Sequence, residues 1–329
     1  MGRRRLARLC RSRPAPSLLR CPRHNQTCTI KITREEAMAD YSIWVLEYAY
    51  VSKYHLSGIV YGAHNEGYRK LPYCYVLIKG QGITAMVDVG YNLKDYGETM
   101  AKAFNVVNWQ DPRTVLAECG VTPEEVSHVF ITHGHFDHMG GTDHFPNARF
   151  YIQERELSKW VWAMSLEQKF SWLMVATDPG DVLRAVDLAR QGRLVCIDGD
   201  RDNVLPGIDL RAAFDTHTWG SMYVTVRNSQ HPDAEDRWIL AGDLVYSFDN
   251  LRGRDPEHPR YLPVGLAMGS QTNLLLATDA MVTEAGGDTN RVIPIHEERL
   301  PEVFPSRRTE NGLMVTEIAL ADGQTSMVA

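Results

Sequence analysis

The chain has 329 residues, 44% of them hydrophobic, and a formal net charge of −6. This length suffices for one large domain or two, and the apolar content suffices for a buried core. Residues 1–37 carry ten Lys and Arg against two Glu, which leaves a net charge of −14 on residues 38–329. Such an acidic body offers no basic face for phosphates, so the composition argues against a nucleic-acid-binding protein.

The cysteines and the hydropathy pattern bear on the compartment. None of the six cysteines forms a C-x-x-C pair, and only Cys74, Cys119 and Cys196 lie beyond residue 37. A disulfide framework is therefore not expected, which favours a reducing, cytoplasmic location. No run of about eighteen apolar residues occurs, so we expect neither a transmembrane helix nor a membrane partner.

Residues 1–37 begin with Arg3-Arg4-Arg5 and contain further arginines and prolines. No apolar segment of about seven or more residues follows this charge, so no secretory or twin-arginine signal is predicted. Two interpretations stay open, a basic arm for nucleic acid or anionic lipid and a disordered extension. We favour the disordered extension, followed by one folded domain over residues 38–329.

The folded part is predicted to begin with a strand over Ser42–Val51, followed by a loop that carries His55 and His64. Two strands, Tyr73–Lys79 and Ile83–Val89, flank a Gly-Gln-Gly turn and predict a hairpin. The sequence therefore opens with antiparallel strands.

The next segment, residues 91–111, has no clear period and is expected to cover a substrate site. Helices are predicted from Asp111-Pro112 onward and after Thr122, where threonine caps the turn and Pro123 begins it.

The segment Thr132–Gly141 concentrates three imidazoles and a carboxylate within six residues. On an α-helix these side chains would spread around the axis, and on a strand the third histidine would point away from the others. A tight loop after the β-prone run Val129–Thr132 lets His133, His135, Asp137 and His138 converge. Clustered nitrogen and oxygen donors of this kind predict a site for zinc or another first-row metal.

Beyond this loop, Arg149–Ile152 is predicted to be a strand and residues 154–189 are helix-prone. Trp160, Trp162 and Trp172 are interpreted mainly as core packing, with a pocket wall as the alternative. The remaining predicted elements are the strands Leu194–Ile197, Ile208–Phe214, Met222–Arg227, Trp238–Ala241 and Arg291–Ile295 and the helix Gln271–Glu284.

The spacing His-x-His-x-Asp-His resembles the signature of the metallo-β-lactamase superfamily, and the resemblance extends over about residues 42–300. Three further residues match the long-range ligands of that family: His217 before Thr-x-Gly-Ser, Asp243 after a strand-end glycine, and His296 at the end of a late strand. Asp88 stands in a segment that resembles the Asp-x-Gly turn, which braces the metal loop. One departure is the Asp-Thr pair before His217, where Pro-Gly is more usual.

The resemblance implies an α/β fold, the four-layer αββα sandwich, with a metal site along one edge. It also implies two divalent metal ions, zinc in the first instance, with iron or manganese as alternatives. The first ion would be held by His133, His135 and His217, the second by Asp137, His138 and His296, with Asp243 bridging both. A hydroxide between the ions would then be the nucleophile, with Asp137 accepting its proton for the leaving group.

Tyr246 follows Asp243 by three residues. A tyrosine at this offset resembles the N-acyl homoserine lactonase branch, where its hydroxyl donates to the forming oxyanion. A core tyrosine is the alternative interpretation. The remaining histidines of the folded part are expected to be ordinary, with His64 as an alternative substrate contact: His55, His64, His128, His144, His231 and His258.

The sequence therefore favours a dinuclear metal hydrolase that opens a lactone, ester or similar activated bond of a small molecule. One alternative is a diiron redox enzyme on the same fold, which normally requires a flavin partner domain. Another is a subunit of a hetero-oligomeric hydrolase that acts on an aryl ether or a phosphotriester. Assembly into a homo-oligomer is a further alternative.

Overall fold

The structure is a computed structural model that describes residues 40–94, 96–229 and 235–329. The predicted extension over residues 1–37 and His231 lie outside these described residues. Within the described stretches, no helix combines the length and the apolar character that a bilayer span requires.

The strands are β1 Ser42–His55, β2 Tyr68–Gly80, β3 Ile83–Val87, β4 Val106–Val107, β5 His128–Phe130, β6 Arg149–Gln153, β7 Leu194–Ile197, β8 Arg201–Leu205, β9 Ile208–Ala212, β10 Met222–Arg227, β11 Arg237–Leu240, β12 Val292–Ile293, β13 Ser306–Arg308 and β14 Met314–Ala319. The α-helices are α1 Leu56–Ile59, α2 Gly97–Ala103, α3 Pro112–Ala117, α4 Phe136–Met139, α5 Glu154–Met164, α6 Pro179–Arg190, α7 Phe248–Arg252, α8 Gln271–Glu284 and α9 Leu300–Val303. Short 3-10 helices lie at Pro123–Glu125, Thr142–His144, Gln168–Met174, Gly242–Leu244 and Thr289–Arg291.

The strands form two sheets, which confirm the predicted αββα sandwich. The first sheet has the order β13-β14-β1-β2-β3-β5-β6-β7, with β4 paired to β1, and the second has the order β12-β11-β10-β9-β8. The strands β3, β5, β6 and β7 run parallel. The loop that follows β5 therefore leaves the carboxyl end of a parallel strand, where open α/β sheets place their ligand sites.

Hydrogen bonds join the two sheets near the start of β1. The backbone N–H of Asp40 donates to the carbonyl of Asn228 at 2.7 Å, and that of Tyr41 donates to the Asn228 side chain at 2.8 Å. On the metal-loop side, the N–H of Met222 donates to the carbonyl of Thr132 at 2.9 Å. The predicted metal loop is thus tied to the second sheet as well as to the first.

Most predicted elements occur, with local differences. Helix α8 has the predicted bounds, whereas the strand predicted over Arg291–Ile295 is only Val292–Ile293. The last strand, β14, was not predicted, and it pairs antiparallel with β1 through Leu46 and Val315. The chain therefore returns to its first strand at its end.

The interpretation of the three tryptophans as core packing is correct for Trp160 and wrong for the other two. Trp160 is fully buried, but Trp162 is 45% exposed and Trp172 is 60% exposed. Two residues apart on α5, Trp160 and Trp162 point in opposite directions because each residue advances about 100° around the helix. Trp172 lies on a separate 3-10 helix, because α5 ends at Met164.

Helix α6 carries a buried carboxyl group that makes stability depend on pH. Burial raises the pKa of Asp181 to about 7, although Arg184 opposes the shift. Because the pKa of Asp181 is higher in the folded state than in the unfolded state, the contribution of its protonated form to the free energy of unfolding is complete below about pH 4. This contribution falls by roughly 4 kcal/mol as the pH rises to 7. We expect Asp181→Asn to remove this loss, so that the variant gains stability relative to the wild type between pH 4 and 7. Urea unfolding across this range measures the difference, with Asp187→Asn, exposed on the same helix, as the control.

Candidate metal centre

The histidine-rich loop contains one short helical turn. His135 is the N-cap residue of α4, so Asp137 and His138 lie in its first turn while His133 precedes it. Gly134 allows the loop to pass close to α5, because a Cβ at this position would lie 2.3 Å from Trp160 Nε1. The sequence predicted a tight loop, and the helical turn is what brings Asp137 and His138 to the same side as the first two histidines.

The seven predicted ligands converge in space. Their donor atoms form two groups, each with all its atoms within 4.8 Å of one another, and all seven side chains are buried. The groups are His133, His135, His217 and Asp243, and Asp137, His138 and His296. The division matches the two predicted metal positions, and the role of each residue as a ligand stays a prediction.

In the first group, Nδ1 of His135 lies 3.0 Å from Nε2 of His217. The Oδ2 atom of Asp243 lies 3.1 Å from that same His217 nitrogen and 3.6 Å from Nε2 of His133. These four side chains therefore surround one point.

Asp243 also reaches the second group. Its Oδ1 atom lies 3.0 Å from Nε2 of His138 and 3.0 Å from Nε2 of His296. Asp137 is farther away, with Oδ2 3.6 Å from the His138 nitrogen and 3.9 Å from the His296 nitrogen. One oxygen of Asp243 thus faces each group, as a bridging carboxylate requires.

In His138, His217 and His296, the ring nitrogen that points away from the centre has a hydrogen-bond partner that orients the ring. Nδ1 of His138 donates to Asp88 Oδ2, Nδ1 of His217 to the carbonyl of Leu266, and Nδ1 of His296 to the carbonyl of Pro72, each at 2.7 Å. With the proton on Nδ1, the lone pair of Nε2 is directed into the centre. This is the arrangement that metal-binding histidines adopt.

Asp88 holds the loop from beneath, as the resemblance implied. It has a left-handed backbone with φ +61°. Its carboxylate accepts from the N–H of Thr132 at 2.7 Å and from the Thr132 hydroxyl at 2.8 Å, in addition to His138. One buried carboxylate therefore fixes both the start of the loop and a predicted ligand.

Several atoms that face the centre have no hydrogen-bond partner among the described residues. They are Nε2 of His133, Nε2 of His138 and Oδ1 of Asp243, all buried. Buried polar atoms without partners are costly, unless an ion or a water satisfies them. Five imidazoles and two carboxylates with inward lone pairs suit divalent cations, so the residues fit the metal ions that the family implies.

The electrostatics of the centre agree with this fit. Burial lowers the pKa of His133 and His135 well below the usual range, so both imidazoles are neutral at pH 7. Burial would also lower the pKa of His138, but the negative charges of Asp243, Asp137 and Asp88 outweigh it and raise that pKa. The same carboxylates would hold cations.

Tyr246 lies beside both groups. Its ring is 4.9 Å from that of His296 and 5.8 Å from that of His217. Burial and the charge of Asp243 raise the pKa of its hydroxyl well above the usual range. Tyr246 is thus a buried residue that also contacts the centre, and its role in catalysis stays a prediction.

The loop before His217 departs from the family pattern and still presents the histidine to the centre. Asp215 adopts φ +52°. The segment after Ala267 pairs with this loop, with Met268 donating to the carbonyl of His217 at 2.8 Å and Ser270 to that of Asp215 at 2.8 Å. These backbone hydrogen bonds fix the loop without the Pro-Gly pair.

Glu156, which lies directly behind the centre, was not among the predicted site residues. Glu156 is fully buried and accepts hydrogen bonds from the N–H of Gly134 and the indole of Trp160, each at 2.7 Å. A sequence signal existed, because Glu156 stands four residues before Trp160 and shares its helix face. A carboxylate on the apolar face of a helix indicates a buried, functional or positioning residue.

Tyr54 is a second residue that the sequence did not indicate. It lines a groove of about 540 Å³ together with Val51, Gly58 and Phe104. The Phe104 ring stacks on the Phe136 ring at a centroid distance of 5.8 Å. Phe136 stands between His135 and Asp137 in the sequence. Burial and the charges of Asp137 and Asp243 raise the pKa of Tyr54 to about 12. The groove therefore adjoins the metal loop.

The other described histidines lie outside the two groups. His55 packs on Tyr68, His128 contacts Ser127 and Tyr151, and His258 contacts Asp255. His64 is exposed and packs against Tyr61. The role of His64 as a substrate contact stays untested.

The fold and the two groups of candidate ligands define a class, proteins with a buried metal centre at the edge of an αββα sandwich. Within this class the chain belongs to the metallo-beta-lactamase superfamily, whose family model matches residues 68–286. The resemblance of the His-x-His-x-Asp-His motif is thereby confirmed at the level of the family.

Two curated proteins are similar in sequence. They come from Mycobacterium bovis and Mycobacterium tuberculosis, and each is named a probable metallo-hydrolase. Each is 26% identical to this chain over 195 residues, which is 55% of this chain. The matched stretch spans only 59% of the length of each mycobacterial protein.

Solved structures share the fold at low sequence identity. A probable metal-dependent hydrolase from Staphylococcus aureus has a TM-score of 0.59 and 17% identity, covering 79% of this chain and 91% of its own. A quorum-quenching N-acyl homoserine lactone lactonase has a TM-score of 0.58 and 16% identity, and the match covers 84% of this chain and 99% of the lactonase chain. An N-acyl homoserine lactone hydrolase with N-hexanoyl-L-homoserine bound at its catalytic metal center has a TM-score of 0.57 and 16% identity. The match covers 80% of this chain and 96% of the hydrolase chain. At such identities the likeness concerns the fold alone.

Proposed function

We propose that this protein is a metal-dependent hydrolase that opens a lactone, ester or similar activated bond of a small, partly apolar molecule. The observation that carries the proposal is the convergence of seven buried side chains in two groups, with inward-facing atoms that lack protein partners. The names of the mycobacterial relatives and of the lactonase structures support the same reaction class.

Residues of this chain supply the proposed metal ligands. His133, His135 and His217 would hold one ion, and Asp137, His138 and His296 the other, with Asp243 between them. When bound, two divalent ions lower the pKa of a water toward about 7 and polarise the bond under attack. The hydrogen bonds from Nδ1 of His138, His217 and His296 keep these imidazoles oriented, so little reorganisation is needed during turnover.

Asp137 is the carboxylate best placed to move a proton. Its side chain is 10% exposed, whereas that of Asp243 is 3% exposed. Its backbone is fixed because the Tyr48 hydroxyl donates to the Asp137 carbonyl at 2.7 Å. Asp137 can therefore accept a proton at its carboxylate and return it to the leaving group.

Tyr246 supplies a hydroxyl donor at the same place. A phenol is protonated at neutral pH, and its contacts with His296 and His217 keep the ring fixed. The hydroxyl would donate to the oxygen that gains charge as the bond opens.

The groove beside the centre favours a substrate with an apolar part. Val51, Tyr54 and Phe104 give it apolar walls, and Lys53 and His55 lie among its other lining residues. A volume of about 540 Å³ is within the range of small-molecule sites. An alkyl or aryl group would bind along these walls while the reactive bond meets the centre.

The test is a combined metal analysis and substrate screen of the purified protein. Inductively coupled plasma mass spectrometry should find two divalent ions per chain. A panel of lactones, esters, aryl ethers and phosphotriesters should show turnover of lactones or esters, which chelation abolishes and zinc restores. Turnover limited to aryl ethers or phosphotriesters, or oxygen consumption by an iron-loaded protein, would contradict the proposal.

We also propose that residues 38–329 form one domain and that residues 1–37 are dispensable. A chain that begins at Met38 retains Asp40 and Tyr41, whose backbone contacts with Asn228 join the two sheets. We expect its turnover and metal content to match the full chain within about twofold. A chain that begins at Ser42 lacks both contacts and serves as the comparison, with a lower melting temperature expected. A sharp loss of turnover in the Met38 chain would show that the extension has a role.

A further inference from the structure

We infer that Glu156 is a positioning residue that sets the metal affinity of the first group, His133, His135 and His217, without affecting the second. The inference rests on the metal ligands of the proposed function. Glu156 is not itself a ligand, because its two carboxylate oxygens are already engaged by hydrogen-bond donors of the protein.

Glu156 accepts four hydrogen bonds. Oε1 accepts from the N–H of Gly134 and from the indole of Trp160, each at 2.7 Å. Oε2 accepts from the Thr218 hydroxyl at 2.8 Å and from the N–H of Gly220 at 2.7 Å. Each oxygen of the Glu156 carboxyl group therefore has two hydrogen-bond donors, which hold the side chain in one position.

Three of the four donors belong to the two segments that carry the first group, and the fourth, Trp160, lies on the same helix as Glu156. Gly134 lies between His133 and His135, while Thr218 and Gly220 follow His217. The two segments are distant in sequence, and the side chain of Glu156 connects them directly. None of the four bonds reaches Asp137, His138 or His296.

The packing around Glu156 leaves little freedom for an alternative arrangement. A Cβ at Gly220 would lie 2.3 Å from the backbone nitrogen of Glu156, so only glycine allows this approach. The rings of Trp160 and Trp219 pack at 4.8 Å next to it. The distance between the His133–His135 loop and the His217 loop is therefore set by this carboxylate.

Glu156→Gln retains the size of the side chain and replaces one oxygen with an NH₂ group. The NH₂ group cannot accept from the backbone N–H of Gly134 or of Gly220, so at least one of the four hydrogen bonds is lost and the two loops move apart. Because residues that orient metal ligands typically change affinity by about 10-fold to 100-fold, we expect about tenfold weaker binding at the first group.

The experiment measures Zn²⁺ affinity at each group separately, by competition with a chromophoric chelator. His296→Ala disables the second group and leaves the first, and His135→Ala does the reverse. In the His296→Ala background, Glu156→Gln should weaken Zn²⁺ binding about tenfold, and in the His135→Ala background the change should stay within about twofold. Glu154→Gln, an exposed residue of the same helix, is the matched control and should change neither affinity.

Equal weakening in both backgrounds would overturn the inference, because it would indicate a general structural role, and no weakening in either would also overturn it. Circular dichroism checks the fold of each variant. Where Glu156→Gln does not fold, Thr218→Val decides, since it removes one of the four donors: about threefold weaker binding at the first group is expected, and unchanged binding overturns the inference. Absence of Zn²⁺ binding by the wild type would instead overturn the proposed function itself, together with this inference.

Discussion

Replacing His135 with alanine is expected to reduce the bound metal from two ions per chain to one or fewer, and turnover by about 1000-fold or more. His135 supplies the nitrogen that faces His217 across the first group at 3.0 Å. Without it, only two imidazoles and the shared carboxylate of Asp243 remain, which is too few protein donors for a stable three-histidine zinc shell. Metal analysis of the variant and steady-state kinetics on the best substrate of the screen measure both effects.

The fold should survive this change, since the metal loop is held by contacts that do not involve the His135 side chain. Asp88 binds Thr132 and His138, and the N–H of Met222 binds the Thr132 carbonyl. Circular dichroism of the variant should therefore be native. His258→Ala, which removes an exposed histidine paired with Asp255, is the control and should leave the metal content unchanged. Native circular dichroism combined with undiminished turnover in His135→Ala would refute the metal mechanism.

Local spacing explains why part of the centre was predictable. His133, His135, Asp137 and His138 lie within six residues, so geometry alone restricts how they can converge. His217, Asp243 and His296 are far apart in the chain, and only the resemblance to a known family connected them to the loop. The structure brings all seven together, and it also shows that backbone bonds from Met268 and Ser270 replace the Pro-Gly pair before His217.

Contacts between distant segments explain what could not be predicted. Strand β14 has a short β-prone sequence whose partner, β1, lies about 270 residues earlier, with the pair Leu46 and Val315 in register. The helix face that Glu156 shares with Trp160 indicates burial, but its four donors come from three separate segments and only the structure identifies them. In both cases the sequence contains the residues, but the partner is set only by the tertiary fold.

Tyr246→Phe is expected to lower kcat by about 100-fold while leaving KM nearly unchanged, because a lost oxyanion donor costs roughly 3 kcal/mol in the transition state only. The ring is retained, so its packing against His296 and His217 should persist. Two metal ions per chain should therefore remain bound, and the loss should be confined to the chemical step. Kinetics and metal analysis on the same preparation test both statements.

The matched control is Tyr75→Phe, which removes the hydroxyl of another buried tyrosine. The Tyr75 hydroxyl has no hydrogen-bond partner among the described residues, and its ring stacks on Tyr48 at 5.0 Å. This variant should retain the wild-type kcat. An unchanged kcat in Tyr246→Phe would identify Tyr246 as a packing residue. A fall in kcat with an equal fall in metal content would mean that the hydroxyl supports metal binding at the adjacent centre and does not act on the substrate.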